Sequence, residues 1–131
     1  METLTIDARL LGIFLDDAGR CLAEMRTGLT ALHGDKADGL APLWRGAHNL
    51  RGNAAMLGLD TLAELAAAIE RFGNATTFAV VRTADAWLTD TIDEIQAQVE
   101  TLDLLHRITN ATQAPRRAPL TGNERCAPKS S

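Results

Sequence analysis

The sequence predicts an all-α protein, an antiparallel up-down four-helix bundle with a flexible C-terminal tail. Three observations predict it. Apolar residues recur at intervals of three and four along four separate stretches, the spacing that lines one face of a helix. Short polar turns with capping residues separate those stretches. Hydrophobic residues make up 46% of the 131 positions, yet there is no tyrosine and there are only three phenylalanines and two tryptophans. Such a composition suits aliphatic helix packing better than a sheet, and the length fits one domain with a moderate core.

The first helix is expected to start near Asp7, capped by Thr5 or Asp7, and to run to Leu32. Leu11, Leu15, Ala18, Leu22, Met25, Leu29 and Leu32 form its seam, a heptad-like pattern suited to a left-handed bundle. Leu10 and Phe14 fall beside that seam, and His33-Gly34-Asp35 is a stop with Gly34 as the C-terminal cap. The second helix starts near Asp35 or Asp38 and ends at Gly58. Pro42 is tolerated in a first turn, which also allows regular helix to begin only at Gly39 or Leu40. Its stripe is Leu40, Leu43, Ala47, Leu50, Ala54 and Leu57. Asp60 reads as the N-cap of a third helix that buries Leu62, Leu65, Ala66, Ile69 and Phe72 and stops at Gly73-Asn74. The fourth runs from Thr76 or Thr77 to Ile108, with Val81, Ala84, Leu88, Ile92, Ile95, Val99 and Leu102 inward. Residues 1–108 are thus expected to form the bundle. From 109 to 131, prolines 115, 119 and 128 lie among small polar residues and Arg116-Arg117, the composition of a flexible tail or linker.

Charge and motifs exclude several classes of function. A net charge of -4 opposes a nucleic-acid footprint, which is a basic patch on a basic domain. No apolar run reaches the length of a membrane span, and the N-terminus has neither the basic nor the apolar region of a signal peptide, so a cytoplasmic protein with no membrane insertion is expected. Cys21 lies in a helical apolar pattern and Cys126 in the polar tail, which favours reduced thiols over a disulfide. Three histidines and two cysteines show no metal-ligand spacing, and no zinc site is expected. His33 and His106 sit near helix ends, where a cation suits the macrodipole, and read as structural or incidental. Phosphate-binding glycine loops and a serine elbow are both missing, so no nucleotide pocket or hydrolase machinery is expected.

What remains is the second helix. His48 points roughly 120° away from the centre of its apolar stripe, so its imidazole faces solvent while the helix beneath is anchored. Arg51 and Gly52 lie one turn further along the same face, Trp44 one turn before, and Ala55 two turns on. A neutral imidazole with a reference pKa of about 6.5 is a competent nucleophile at cellular pH. Arg51 is a guanidinium within one turn of it, the group that offsets phosphoryl charge and donates to its oxygens. A mid-helix Gly costs about 1 kcal/mol relative to Ala, and clearance for a partner beside His48 is the simplest account of Gly52.

The run His48-Asn49-Leu50-Arg51-Gly52-Asn53-Ala54-Ala55-Met56-Leu57-Gly58, followed by Leu59, Leu62, Leu65 and Ile69-Glu70, resembles the histidine-containing phosphotransfer (HPt) domain of two-component signalling. The family pattern is a phospho-accepting His, an apolar residue, Lys or Arg, Gly, small residues and a closing Gly. Arg51 stands where the family more often has Lys, replacing a point charge by a fork. The resemblance implies that His48 accepts a phosphoryl group, and that catalysis lies with the partner. That partner is a response-regulator receiver domain carrying an aspartate and Mg²⁺, or a histidine kinase that loads His48; no cofactor belongs to this chain. In chemotaxis-type members a carboxylate matching Glu70 hydrogen-bonds the imidazole nitrogen that is not phosphorylated, holding the tautomer that leaves Nε2 free. The expected docking face comprises Phe14, Trp44, Ala55 and Leu59, with Leu10 and Ile13 beside them. Two alternatives remain open: the amino-terminal phosphotransfer domain of a chemotaxis-type kinase, and a helical adaptor that is not phosphorylated.

Overall fold

A computed structural model describes residues 7–34, 36–75 and 83–117. Within them lie four α-helices and no strand: α1 (Ala8–His33), α2 (Leu40–Met56), α3 (Asp60–Ala75) and α4 (Asp85–Arg117). Asp7 caps α1 by accepting a 2.7 Å hydrogen bond from the Arg9 amide, which satisfies one of the orphan N–H groups of a helix start. The Gly34 amide closes the other end on the carbonyls of Thr30 and Ala31. A single 3₁₀ turn, Ala37–Gly39, leads into α2, so regular helix begins at Leu40, the later of the two expected starts.

The helices run alternately up and down. Gly28 of α1 lies against Gly39 and Leu43, and Gly46 of α2 against Cys21 and Met25, so these two helices are antiparallel and in close approach. A Cβ added at Gly28 would fall 2.5 Å from the Gly39 carbonyl oxygen, and one at Gly46 2.8 Å from that of Cys21. Three contacts pin α4 antiparallel to α1. His106 donates from Nε2 to the Ala8 carbonyl at 3.0 Å, Arg26 donates to Asp93 at 2.9 Å and to Gln96, and His33 pairs with Asp85. His33 and His106 therefore have structural contacts, as expected of them.

Between the helices lie Leu11, Ala18, Leu22, Met25, Leu29 and Leu32 of α1, Leu43, Ala47, Leu50 and Ala54 of α2, Leu62, Ala66 and Ile69 of α3, and Leu88, Ile92, Ile95 and Val99 of α4. Each fully buried Leu or Ile contributes about 1.5–3 kcal/mol relative to exposure. Leu15, Leu40, Leu57, Leu65, Phe72 and Leu102, also expected inside, are half-buried at its margin. Cys21 is buried with a free thiol, and burial, followed by the nearby charges of Asp17 and Glu24, pushes its pKa up.

Several expectations are corrected. Phe14 is 3% exposed and belongs to the core, because α1 packs between α2 and α4 and buries a wider stripe than a two-position seam. Leu10 and Ile13 remain on the surface. Asp60 is the first residue of α3 rather than its preceding cap, and α3 passes Gly73-Asn74 and includes Ala75, the last described residue of this stretch. The fourth helix passes Ile108 and continues to Arg117, so regular structure extends into the stretch read as tail. The expected start at Thr76 or Thr77, Val81, Asp35 and Cys126 lie outside the described residues.

Candidate functional site

Ala47, Leu50 and Ala54 anchor α2 with no exposed surface, and this fixes which way the intervening residues point. His48 emerges beside them with its side chain 44% exposed. The neighbouring helix supplies its partner: Glu70 Oε2 of α3 lies 2.6 Å from His48 Nδ1. A carboxylate only accepts, so Nδ1 carries the proton and donates it, and the lone pair is left on Nε2. Among the described residues nothing hydrogen-bonds Nε2, and the side chain that carries it is 44% exposed.

Glu70 is held from both sides. Arg51 donates from Nε to Oε1 while His48 takes Oε2, so each carboxylate oxygen has its own donor. Arg51 Nη2 also stands 3.5 Å from His48 Nδ1, but both atoms carry hydrogens, and this is proximity rather than a hydrogen bond. The Glu70 side chain is 13% exposed. Burial is the largest single influence and raises its pKa. The hydrogen bonds from His48 and Arg51, with their charges, together outweigh it, so the net shift is downward and Glu70 stays an acceptor. The guanidinium expected to face an incoming phosphoryl group is thus seated on the Nδ1 side of the ring, against Glu70.

Gly52 opens the other flank. A Cβ built there meets nothing within 4 Å, so the missing side chain serves no packing inside the bundle. Ala55 is exposed one turn beyond. Leu59 follows the α2–α3 turn and is half-buried against the core, and Phe14 is inside the core; neither is a free surface group. Of the expected docking residues, Trp44 and Ala55 stand on the helix that bears His48.

The structure adds two relations that sequence reading did not contain. The Trp44 indole stacks on the His48 imidazole, with centroids 4.9 Å apart and planes 9° from parallel. Arg51 and His48 share one carboxylate. The first was within reach of spacing alone, since residues four apart on a helix are neighbours. The second needed the register of α2 against α3. That register is set by the turn at Leu57-Gly58-Leu59, where the Leu59 amide bonds the Ala54 carbonyl, the Gly58 amide bonds that of Ala55, and Gly58 has φ 73°. This is a Schellman closure, and its left-handed residue requires glycine at little cost.

Among the described residues no three His, Cys, Asp or Glu side chains form a metal-binding group, and no helix is long and apolar enough to cross a membrane. The family model described as the Hpt domain matches residues 9–103. No curated protein and no solved structure matches the chain.

Proposed function

The chain belongs to the Hpt domain family, whose members carry out histidine phosphotransfer in two-component signalling with response regulators and kinases, and we propose from that premise that His48 is its phospho-acceptor. The observation that carries the proposal is the division of labour on one ring: Nδ1 is tied to Glu70 at 2.6 Å, while Nε2 has no hydrogen-bond partner among the described residues and belongs to a side chain 44% exposed. In the proposed step the Nε2 lone pair attacks the phosphorus of a receiver's aspartyl phosphate. The N–P bond forms as the P–O bond breaks, and the receiver's carboxylate leaves with the electron pair. The Nδ1 proton stays on the ring, shared with Glu70. In reverse, the receiver's aspartate attacks and its own Mg²⁺ screens the charge. This chain contributes orientation, acceptor geometry and access past Gly52. A histidine kinase would load the same nitrogen with phosphate from ATP.

His48→Gln tests the assignment. It is expected to keep the helicity of the parent by circular dichroism and to accept no phosphate from a phosphorylated receiver. Full labelling of the variant would place the acceptor elsewhere. A transfer profile across the receivers and kinases of the source organism identifies the cognate pair.

A second reading makes this the amino-terminal domain of a chemotaxis-type kinase. The Glu70 bond to Nδ1 favours it, because that carboxylate is the feature expected of chemotaxis-type members. The gene sequence beyond Ser131 separates the two.

A further inference from the structure

We infer that Trp44 is a positioning residue for phosphoryl transfer: its indole plane fixes the direction of His48 Nε2 and stabilises the ring as that nitrogen takes up phosphorus. The inference rests on His48 being the acceptor. It reassigns Trp44 from the docking surface to the reacting ring.

An imidazole on an exposed helix face turns about two side-chain torsions. The hydrogen bond from Nδ1 to Glu70 fixes one edge of the ring but leaves it free to swing about the Nδ1···Oε2 line. Helical side chains lean toward the N-terminus, which brings His48 back over the residue one turn before it. There Trp44 lies 9° from parallel, with centroids 4.9 Å apart, and removes the remaining swing. Edge and face are then both held, and Nε2 points one way.

Before attack the ring is neutral, with hydrogen on Nδ1. When Nε2 gives its lone pair to phosphorus and Nδ1 keeps its proton, the ring becomes formally cationic. The face of an indole attracts a cation more than it attracts a neutral ring, and Glu70 does the same from the edge. Both interactions strengthen along the reaction, the condition for accelerating it.

The indole carries a cost to the fold. Trp44 Nε1 is buried and has no hydrogen-bond partner among the described residues, a state that costs stability. A phenyl ring at the same position would keep a stack without burying an unpaired N–H. Trp44→Phe is therefore expected to be at least as stable as the parent and to retain a face for His48.

Potassium phosphoramidate provides the test, because it is a donor too small to use a docking surface. Nε2 attacks its phosphorus, the P–N bond breaks and ammonia leaves. The expected result is a roughly tenfold slower labelling of His48 in Trp44→Leu, the scale of a cation–π contact, with Trp44→Phe within about threefold of the parent. Proton NMR of the unsubstituted protein supplies a second reading that depends on no variant folding: the His48 ring protons should be shifted upfield by the indole stacked on them. If Trp44→Leu is labelled by phosphoramidate at the parent rate and is slow only with a phosphorylated receiver, Trp44 is a docking contact and the inference is overturned. Unshifted ring protons in the parent overturn the stack itself. A parent whose His48 takes no phosphate from either donor refutes the acceptor assignment, and this inference falls with it.

Discussion

Glu70 gives one oxygen to His48 and the other to Arg51, and its lowered pKa sets the pH at which that arrangement fails. A carboxyl group whose folded pKa lies below its unfolded value stabilises the fold fully above the unfolded value, here near 4.5. That contribution is lost as pH falls through the lowered folded value. Thermal melts between about pH 7 and pH 3 should therefore show the parent losing stability more steeply below about pH 4.5 than Glu70→Gln, which has no proton to take up there. Equal slopes would mean that the two hydrogen bonds contribute nothing net. At neutral pH, Glu70→Ala should move the ring proton of His48 partly to Nε2, visible in ¹⁵N shifts, and slow phosphorylation, because a protonated Nε2 has no lone pair to offer.

At the scale of elements, α2 carries two mid-helix glycines that the structure puts to opposite uses. Gly46 faces α1, where an added Cβ would lie 2.7 Å from Met25 Cγ and 2.8 Å from the Cys21 carbonyl oxygen; Gly52 faces open space. Gly46→Ala should thus destabilise by about 1–3 kcal/mol, the usual cost of overpacking a filled site. Gly52→Gln should be neutral or stabilising by up to about 1 kcal/mol through helix propensity, yet slow receiver phosphotransfer by an order of magnitude or more by setting a long side chain one turn from Nε2. Thermal unfolding read beside single-turnover transfer checks both. Fast transfer in Gly52→Gln would move the docking face away from this flank. The sequence marked the same two helices unequally. The stripe Leu43, Ala47, Leu50, Ala54 was legible because α2 shows one continuous apolar face, and His48 stood off it. In α1 the seam chosen on heptad spacing took Leu15 and left Phe14 beside it, whereas the fold buries Phe14 and leaves Leu15 half-buried. Sequence periodicity locates the centre of a stripe but not its width, which depends on how many helices lie against it. The end of α4 was misplaced for a related reason: Leu104, Leu105 and Ile108 are exposed, so no inward face persists there to mark a helix that still reaches Arg117.

Across the whole molecule the setting of the His48 ring depends on two helices joined by a turn and packed on a shared core. His48 is on one, Glu70 on the other, and Leu57-Gly58-Leu59 joins them. Over the ten residues from His48 to Gly58, a helix rising 1.5 Å per residue puts the ring about 15 Å from the turn. The turn is then the pivot of a lever. A rotation of about 10° at Gly58 carries His48 through roughly 2–3 Å, as far as the hydrogen bond to Glu70 is long. Gly58 holds φ 73°, which a β-branched side chain adopts only under strain. Gly58→Val should accordingly disable the chemistry before it unfolds the bundle: transfer from a phosphorylated receiver should be lost at temperatures where the helical signal is still complete, and the ¹⁵N pattern of His48 should resemble that of Glu70→Ala. Parent-like transfer in a folded Gly58→Val would mean that the core alone keeps α2 and α3 aligned. If the lever holds, damage at a glycine ten residues from His48 is indistinguishable, in an activity assay, from damage to the carboxylate itself.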